Sequence, residues 1–285
     1  MTHCGYIGII GRPNVGKSTL LNRFIGMKVS ITSRKPQTTR EQILGIYTED
    51  DTQYVFIDTP GIHAGQGAYS NRLMNRAAKT IVEEADVLLW VIDAKSFAED
   101  DQHILENLKK QTQPLVIALN KQDQVEEEAL FALAQKISLA LPKAQIIPCS
   151  ARTGFHCEKI LPVLRELLPE QAFIYSDELV TDKSEKFYAA EMVREKIMRH
   201  TGDELPYACT IEIEKYAVEN RVLHIYATIW VDKENQKSIL VGKGGERLKT
   251  IGQEARIDLE KFWDQKVFLK LWIKVKKPGF IPPIY

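Results

Sequence analysis

The sequence predicts an α/β domain built on a mainly parallel sheet, followed by a smaller α+β domain. Three observations predict this. Short apolar runs alternate with amphipathic segments as far as Leu168-Pro169, which is the rhythm of a sheet covered by helices on both faces. A glycine-rich octapeptide joins the first apolar run to the first helical segment. Beyond Pro169 the order becomes helix, strand, strand, helix, glycine turn, helix, strand.

The first run, Tyr6-Ile7-Gly8-Ile9-Ile10, reads as a buried strand, and Lys17 to Phe24 as a helix. Between them lie Gly11, Arg12, Pro13, Asn14, Val15, Gly16, Lys17 and Ser18. This is the spacing of a phosphate-binding loop. Strand, loop and helix in that order point a helix N-terminus at a bound anion. Gly11 and Gly16 let backbone wrap a phosphate with no side chain in the way. Lys17 supplies a point charge to the β- and γ-phosphates, and the Ser18 hydroxyl is a Mg²⁺ ligand.

Tyr54–Ile57, Val87–Ile92, Leu115–Leu119 and Gln145–Pro148 are further apolar runs, each short enough for a strand buried on both faces. Segments 71–84, 100–111 and 126–141 have helical patterns between them. Ligands of such folds sit at the carboxyl ends of the strands, and three further motifs fall there. Asp58, Thr59, Pro60 and Gly61 follow the second run. Asp58 faces Ser18 across a Mg²⁺ site, and the Gly61 N–H meets a γ-phosphate whose loss would release the loop. Asn120, Lys121, Gln122 and Asp123 follow the fourth run. The Asp123 carboxylate can accept from both the ring N–H and the exocyclic amine of guanine, a pair that adenine lacks. Ser150 and Ala151 follow the fifth run and suit a backbone contact to the guanine carbonyl. Ile62, next to the Asp58 motif, cannot orient or deprotonate water, so either hydrolysis is slow without a stimulating partner or another group, with Asn14 the candidate, stabilises the transition state. His63 reads as a loop histidine.

The second domain starts with a helical pattern over 186–199 and alternating strands over 207–215 and 222–231. Gly242, Lys243, Gly244 and Gly245 precede a helical stripe over 246–263, and Val267 to Val275 alternates strictly. A Gly-x-x-Gly turn between two helices lets a nucleic-acid backbone approach main-chain N–H groups. Lys243, Arg247 and Lys249 surround it with charge. In the last strand Phe268, Lys270, Trp272 and Lys274 share one face. That face suits base stacking with phosphate neutralisation, and packing against the other domain explains its aromatics equally well. We divide the chain at 1–172, a linker at 173–184, and 185–285.

The formal net charge of zero hides an asymmetry. Residues 177–220 carry 6 Lys/Arg against 11 Asp/Glu, whereas residues 221–277 carry 13 against 7. A basic C-terminal third is the electrostatic sign of a polyanionic partner. Hydrophobic content of 44% and charged content of 27% are those of a globular protein. Four cysteines and six histidines show no paired metal-ligand spacing. No signal-peptide pattern opens the chain, and no apolar run approaches the ~20 residues that span a bilayer. The expected compartment is the cytoplasm.

With Gln37-Thr38-Thr39-Arg40 after the first helix, the motifs resemble the translation-factor class of GTPases and, within it, the bacterial Era GTPase family. The Gly242–Gly245 turn and its order of elements resemble a type II KH domain. Segments 190–196 and 202–207 resemble the same family, so the likeness spans nearly the whole chain. The resemblance implies that Thr39, in preference to Thr38, caps Mg²⁺ and senses the γ-phosphate. It implies that Asn14 helps hold an activating K⁺ ion. It implies a monomer that cycles between GTP and GDP, binds the 3′ end of small-subunit rRNA and acts in assembly of the 30S subunit. Peripheral inner-membrane association is implied too, with the basic C-terminal third as the surface for it. The chain departs from the family at Ala64 to Tyr69, where a Pro-Lys-containing segment is expected. The residues alone leave open a nucleotide-gated binding module acting at the membrane or on another protein, and an ATPase.

Overall fold

A computed structural model describes residues 1–32, 42–58, 83–202, 205–277 and 279–280. The chain divides into two compact units, Met1–Asp182 and Lys183–Tyr285.

Among its described residues the first unit holds six strands: β1 (His3–Ile10), β2 (Ile43–Glu49), β3 (Thr52–Asp58), β4 (Val87–Asp93), β5 (Leu115–Asn120) and β6 (Gln145–Pro148). Its helices are α1 (Lys17–Ile25), α2 (Glu99–Leu108), α3 (Glu127–Ala140) and α4 (Ile160–Leu167). The sheet order is β2-β3-β1-β4-β5-β6. All pairings are parallel except that of β2 with β3. The runs in β1, β3, β4 and β5 are buried on both faces because helices cover both, whereas Gln145–Pro148, expected to be buried likewise, forms the outer strand β6, with Gln145 exposed and the rest half-buried. Leu88, Trp90 and Ile92 meet Ile104, Leu105 and Leu108 of α2 and Ile137 of α3. On the other face Phe24 of α1 stacks on Phe56 of β3, with centroids 5.1 Å apart. Parallel strands bring the carboxyl ends of β1, β3, β4, β5 and β6 to one edge, which positions the loops described below.

β2 is an antiparallel edge strand that the apolar-run pattern did not reveal. The end of the polar segment 170–182 lies along it, with Gly45 bridged to Thr181. Val180 O accepts from Ile46 N at 2.9 Å, and Asp182 Oδ1 accepts from Leu44 N at 3.1 Å. Buried Gln53 of β3 accepts from Ile174 N and Tyr175 N and donates to Tyr175 O, at 2.9–3.0 Å. The backbone of this segment is thereby satisfied by the sheet edge.

The second unit comprises α5 (Glu185–His200), α6 (Leu205–Ala208), β7 (Thr210–Glu219), β8 (Val222–Val231), α7 (Glu234–Val241), α8 (Glu246–Trp263) and β9 (Val267–Val275). β8 is central, antiparallel to β7 and parallel to β9. Strand alternation sends Leu223, Ile225, Ala227, Ile229 and Val231 into a core shared with Met192 and Val193 of α5 and Ile251, Ala255 and Leu259 of α8. The other sheet face carries the even-numbered residues of β8 and β9. No helix among the described residues is long and apolar enough to cross a membrane.

Candidate functional site

β1 ends directly at the glycine loop. Gly11, Asn14 and Gly16 have φ of 145°, 64° and 105°, so the loop turns through backbone shapes that most side chains resist. Two glycines are required by contact as well. A Cβ on Gly11 would lie 2.4 Å from Val91 O, and one on Gly16 would lie 2.2 Å from Asn120 Nδ2. Gly16 caps α1, whose first residues are Lys17 and Ser18. Lys17 is buried, and its Nζ donates to Gly11 O at 2.9 Å and Arg12 O at 3.0 Å. Burial pushes its pKa down to about 8, with Asp58 opposing the shift, Arg12 adding to it and Asp101 opposing it. The Arg12 guanidinium is turned away from the loop, to Asp101 at 2.7 Å and Ser96 at 2.6 Å. The loop therefore presents backbone and one buried ammonium.

Asp58, fully buried at the end of β3, accepts from Ser18 Oγ at 2.8 Å and from Ser30 Oγ at 2.9 Å. The structure thus brings together the two oxygen groups expected to flank a divalent ion. They are hard donors of the type Mg²⁺ takes. Ser30 was not foreseen, since nothing in its local sequence marks it.

Asn120, at the end of β5, is the hub of the base side. Its Nδ2 donates to Val15 O at 2.7 Å, and its Oδ1 accepts from Lys121 N and Ala151 N at 2.8 Å each. One buried amide ties the glycine loop, the Asn120–Asp123 turn and the Ser150 loop together. Lys121, at φ 66°, reaches back to Asn14 O at 2.8 Å and Asp93 Oδ2 at 2.6 Å. Gln122 N donates to Cys149 O at 3.1 Å, joining the same two loops. Asp123 accepts from Arg152 at 2.5 Å. Hydrogen bonding by Ser150 and then Arg152 holds its carboxyl below the usual carboxylate range.

Three groups here escape sequence reasoning. Asp93, the partner of Lys121, is a carboxylate at a strand's carboxyl end and carries that much signal. Arg152 and Arg23 carry none. Arg23, in the last turn of α1, donates to Ala151 O and Arg152 O at 2.9–3.3 Å and braces the Ser150 loop. Thr38, Thr39, Thr59, Pro60, Gly61, Ile62 and His63 lie outside the described residues, as does segment 64–69.

In the second unit Gly242, Gly244 and Gly245 have φ of 71°, 60° and 86°. A Cβ on Gly242 would meet Arg247 Cβ at 2.7 Å, whereas one on Gly244 would meet nothing within 4 Å. Gly242 is thus a packing glycine, and Gly244 is open at the tip. Lys243 and Lys249 are exposed, while Arg247 donates to Ile239 O of α7. Beside this turn runs a groove of about 430 Å³ between α8 and the edge strand β9. Gly245, Leu248 and Gly252 line one wall, Leu269 and Leu271 the other, with Lys249, Arg256 and Lys270 also lining it. Its lining thus combines apolar Leu248, Leu269 and Leu271 with the cations Lys249, Lys270 and Arg256, the last paired with Glu260 at 2.9 Å, and β9 is the outer strand of the three described. Gly252 and Arg256 were not foreseen, because the groove exists only where α8 meets β9; Lys270 was expected on the stacking face of β9 and also lines this groove.

Comparison with known proteins follows the same division. The family of 50S ribosome-binding GTPases matches residues 6–121, and the KH domain family matches residues 204–280. GTPase Era of Pseudomonas aeruginosa (strain PAO1) is 48% identical over 276 residues, which cover 96% of this chain and 90% of the relative. GTPase Era of Pseudomonas fluorescens (strain Pf0-1) is 48% identical over 276 residues, covering 96% and 92%. A crystal structure of Era in complex with MgGDPNP and nucleotides 1506–1542 of 16S ribosomal RNA superposes with a TM-score of 0.90 at 36% identity, covering 99% of this chain and 95% of that one. A variant of Aquifex aeolicus Era bound to GDP·AlF4⁻ superposes at 0.89, also at 36% identity and with the same coverage. The chain belongs to the Era GTPase family.

Proposed function

We propose that this chain is a GTP-hydrolysing switch whose second unit binds single-stranded RNA at the 3′ end of the small-subunit ribosomal RNA, during assembly of that subunit. The observation that carries the reading is the Asn120 hub, which welds phosphate loop and base loops into one pocket. The relative solved with 16S nucleotides 1506–1542 supports the RNA target.

In this reading the loop N–H groups and the α1 N-terminus grip the phosphates. Lys17 exchanges its two carbonyl partners for phosphate oxygens. Asp123 reads guanine, exchanging Arg152 for the base, while Lys121 lies beside the ring and Ser150-Ala151 offers backbone. Ser18 and Asp58 hold Mg²⁺, with Thr39 as the resemblance implies. The ion supplies charge neutralisation at the β- and γ-phosphate oxygens. Gly61 reports on the γ-phosphate. Asn14, as the resemblance implies, contributes to a K⁺ site that supplies further positive charge. With Ile62 in place of a water-orienting side chain, turnover is slow until a partner engages. On the second unit, Gly242–Gly245 clamps RNA backbone, Lys243 and Lys249 neutralise phosphate, and Arg247 holds α7 against α8.

Gly244→Asp tests the RNA half. At φ 60° with open space around it, Asp is sterically admissible, so the change adds a negative charge without unfolding the turn. Binding of a single-stranded RNA carrying the 16S 3′ end, followed by anisotropy, should weaken steeply with salt and be lost in the variant. Salt-independent or unchanged binding would refute the reading.

A further inference from the structure

The face of the β7-β8-β9 sheet opposite its helices carries an organised aromatic cluster. Tyr226 is its centre. Its ring lies 5.5 Å from Trp272, 6.2 Å from Phe268 and 6.5 Å from His224, and His224 lies 5.1 Å from Phe268. Strand register explains the grouping, because His224 pairs with Phe268, Tyr226 with Lys270 and Thr228 with Trp272. Two ammonium groups sit on these rings. Lys215 Nζ is 5.1 Å from the Tyr226 centroid, and Lys270 Nζ is 4.8 Å from that of Trp272. Phe268 is 46% exposed and belongs to this cluster of rings rather than standing alone.

The face is polarised. Glu212 and Glu214 lie toward its other end and are engaged, Glu212 by Trp230 Nε1 at 2.7 Å and Glu214 by Thr228 and Lys274. Beside the aromatic half, Glu219 is held by Lys215 at 2.5 Å. Rings interleaved with cations are the composition of a stacking platform for single strands.

Continuity with the groove identifies the occupant. Lys270 lines the groove between α8 and β9 and also covers the Trp272 ring. Phe268 and Trp272 flank it on the open face, about 13 Å apart along an extended strand. A strand leaving the groove over the edge of β9 therefore arrives on the rings. We infer that the outer sheet face around Phe268, Tyr226 and Trp272 is a second single-stranded RNA subsite, which stacks bases next to those held at the glycine turn. The inference rests on the RNA reading above.

The test uses the full chain and three RNA probes: a tetranucleotide, which is the length a glycine clamp holds, a longer single strand containing it, and a duplex. The longer strand should bind about tenfold more tightly than the tetranucleotide and quench tryptophan emission; the duplex should do neither. Trp272→Phe should abolish the quench. Phe268→Ala, at an exposed position, should remove most of the tenfold gain while leaving tetranucleotide affinity as it was. Undiminished quenching in Trp272→Phe, or a full gain in Phe268→Ala, would overturn the inference. A tetranucleotide that fails to bind while the longer strand still quenches Trp272 would instead sink the glycine-clamp reading and leave this subsite standing.

Discussion

Raising pH should weaken nucleotide binding through Lys17. In the nucleotide-free chain burial lowers Lys17 from 10.5 to about 8. Phosphate at the loop returns an opposite charge to the ammonium and raises its pKa again. A group whose bound-state pKa exceeds its free-state value contributes affinity that is complete below the free value and is lost as pH rises through it. At about pH 9 roughly one free molecule in ten still carries the proton, so affinity should fall about tenfold from its pH 7 value, or about 1.4 kcal/mol. GDP binding by calorimetry at several pH values, in buffers of different ionisation enthalpy, reads both the affinity and the proton taken up. Lys17→Met provides the baseline, since it retains any titration of the base itself and loses that of the lysine. A wild-type pH slope equal to that of Lys17→Met would refute the reasoning.

Gly16→Ala puts a Cβ 2.2 Å from Asn120 Nδ2 at a φ of 105°. The strain, about 1–3 kcal/mol, should lower GDP affinity roughly five- to 150-fold by fluorescence titration. Asn14→Gly keeps the positive φ and removes the side chain. Wild-type turnover should be faster in K⁺ than in Na⁺ and the variant's should not; equal wild-type rates in the two salts would remove the K⁺ site. Gly252→Leu fills the groove at a place where a Cβ already meets Leu271 Cδ1 at 3.4 Å. Anisotropy should show RNA affinity reduced about tenfold, the scale of losing one stacked base.

The fold was legible where burial is two-sided. β3 and β4 are buried throughout, and within them Tyr54–Ile57 and Val87–Ile92 read as unbroken apolar runs. β2 was not legible, because an edge strand with Gly45 inside it and Thr48-Glu49 at its end offers no such run. Segment 173–184 reads as a linker by composition, yet through Asp182 its backbone groups and Asp182 itself pair with β2 and β3. Backbone pairing leaves little mark on side-chain choice. In the site, the glycine loop and the Asn120–Asp123 turn announce themselves because each position answers a steric or hydrogen-bonding demand within a few residues. Arg23 and Ser30 act on partners 28 to 129 residues away, and such pairings appear only once the chain has folded. The α8 stripe likewise marks which side is core, not that Gly252 and Arg256 face a groove.

The most direct measurement of the central claim is base selectivity. With Mg²⁺ present, labelled GDP on the wild type, and labelled GDP and labelled XDP each offered to Asp123→Asn, would be challenged with unlabelled GDP, ADP and XDP. The account predicts that only GDP displaces label from the wild type, and that the variant loses GDP and gains XDP because an amide now meets the second carbonyl of xanthine. Equal displacement by ADP, or a variant with unaltered preference for GDP, would contradict it.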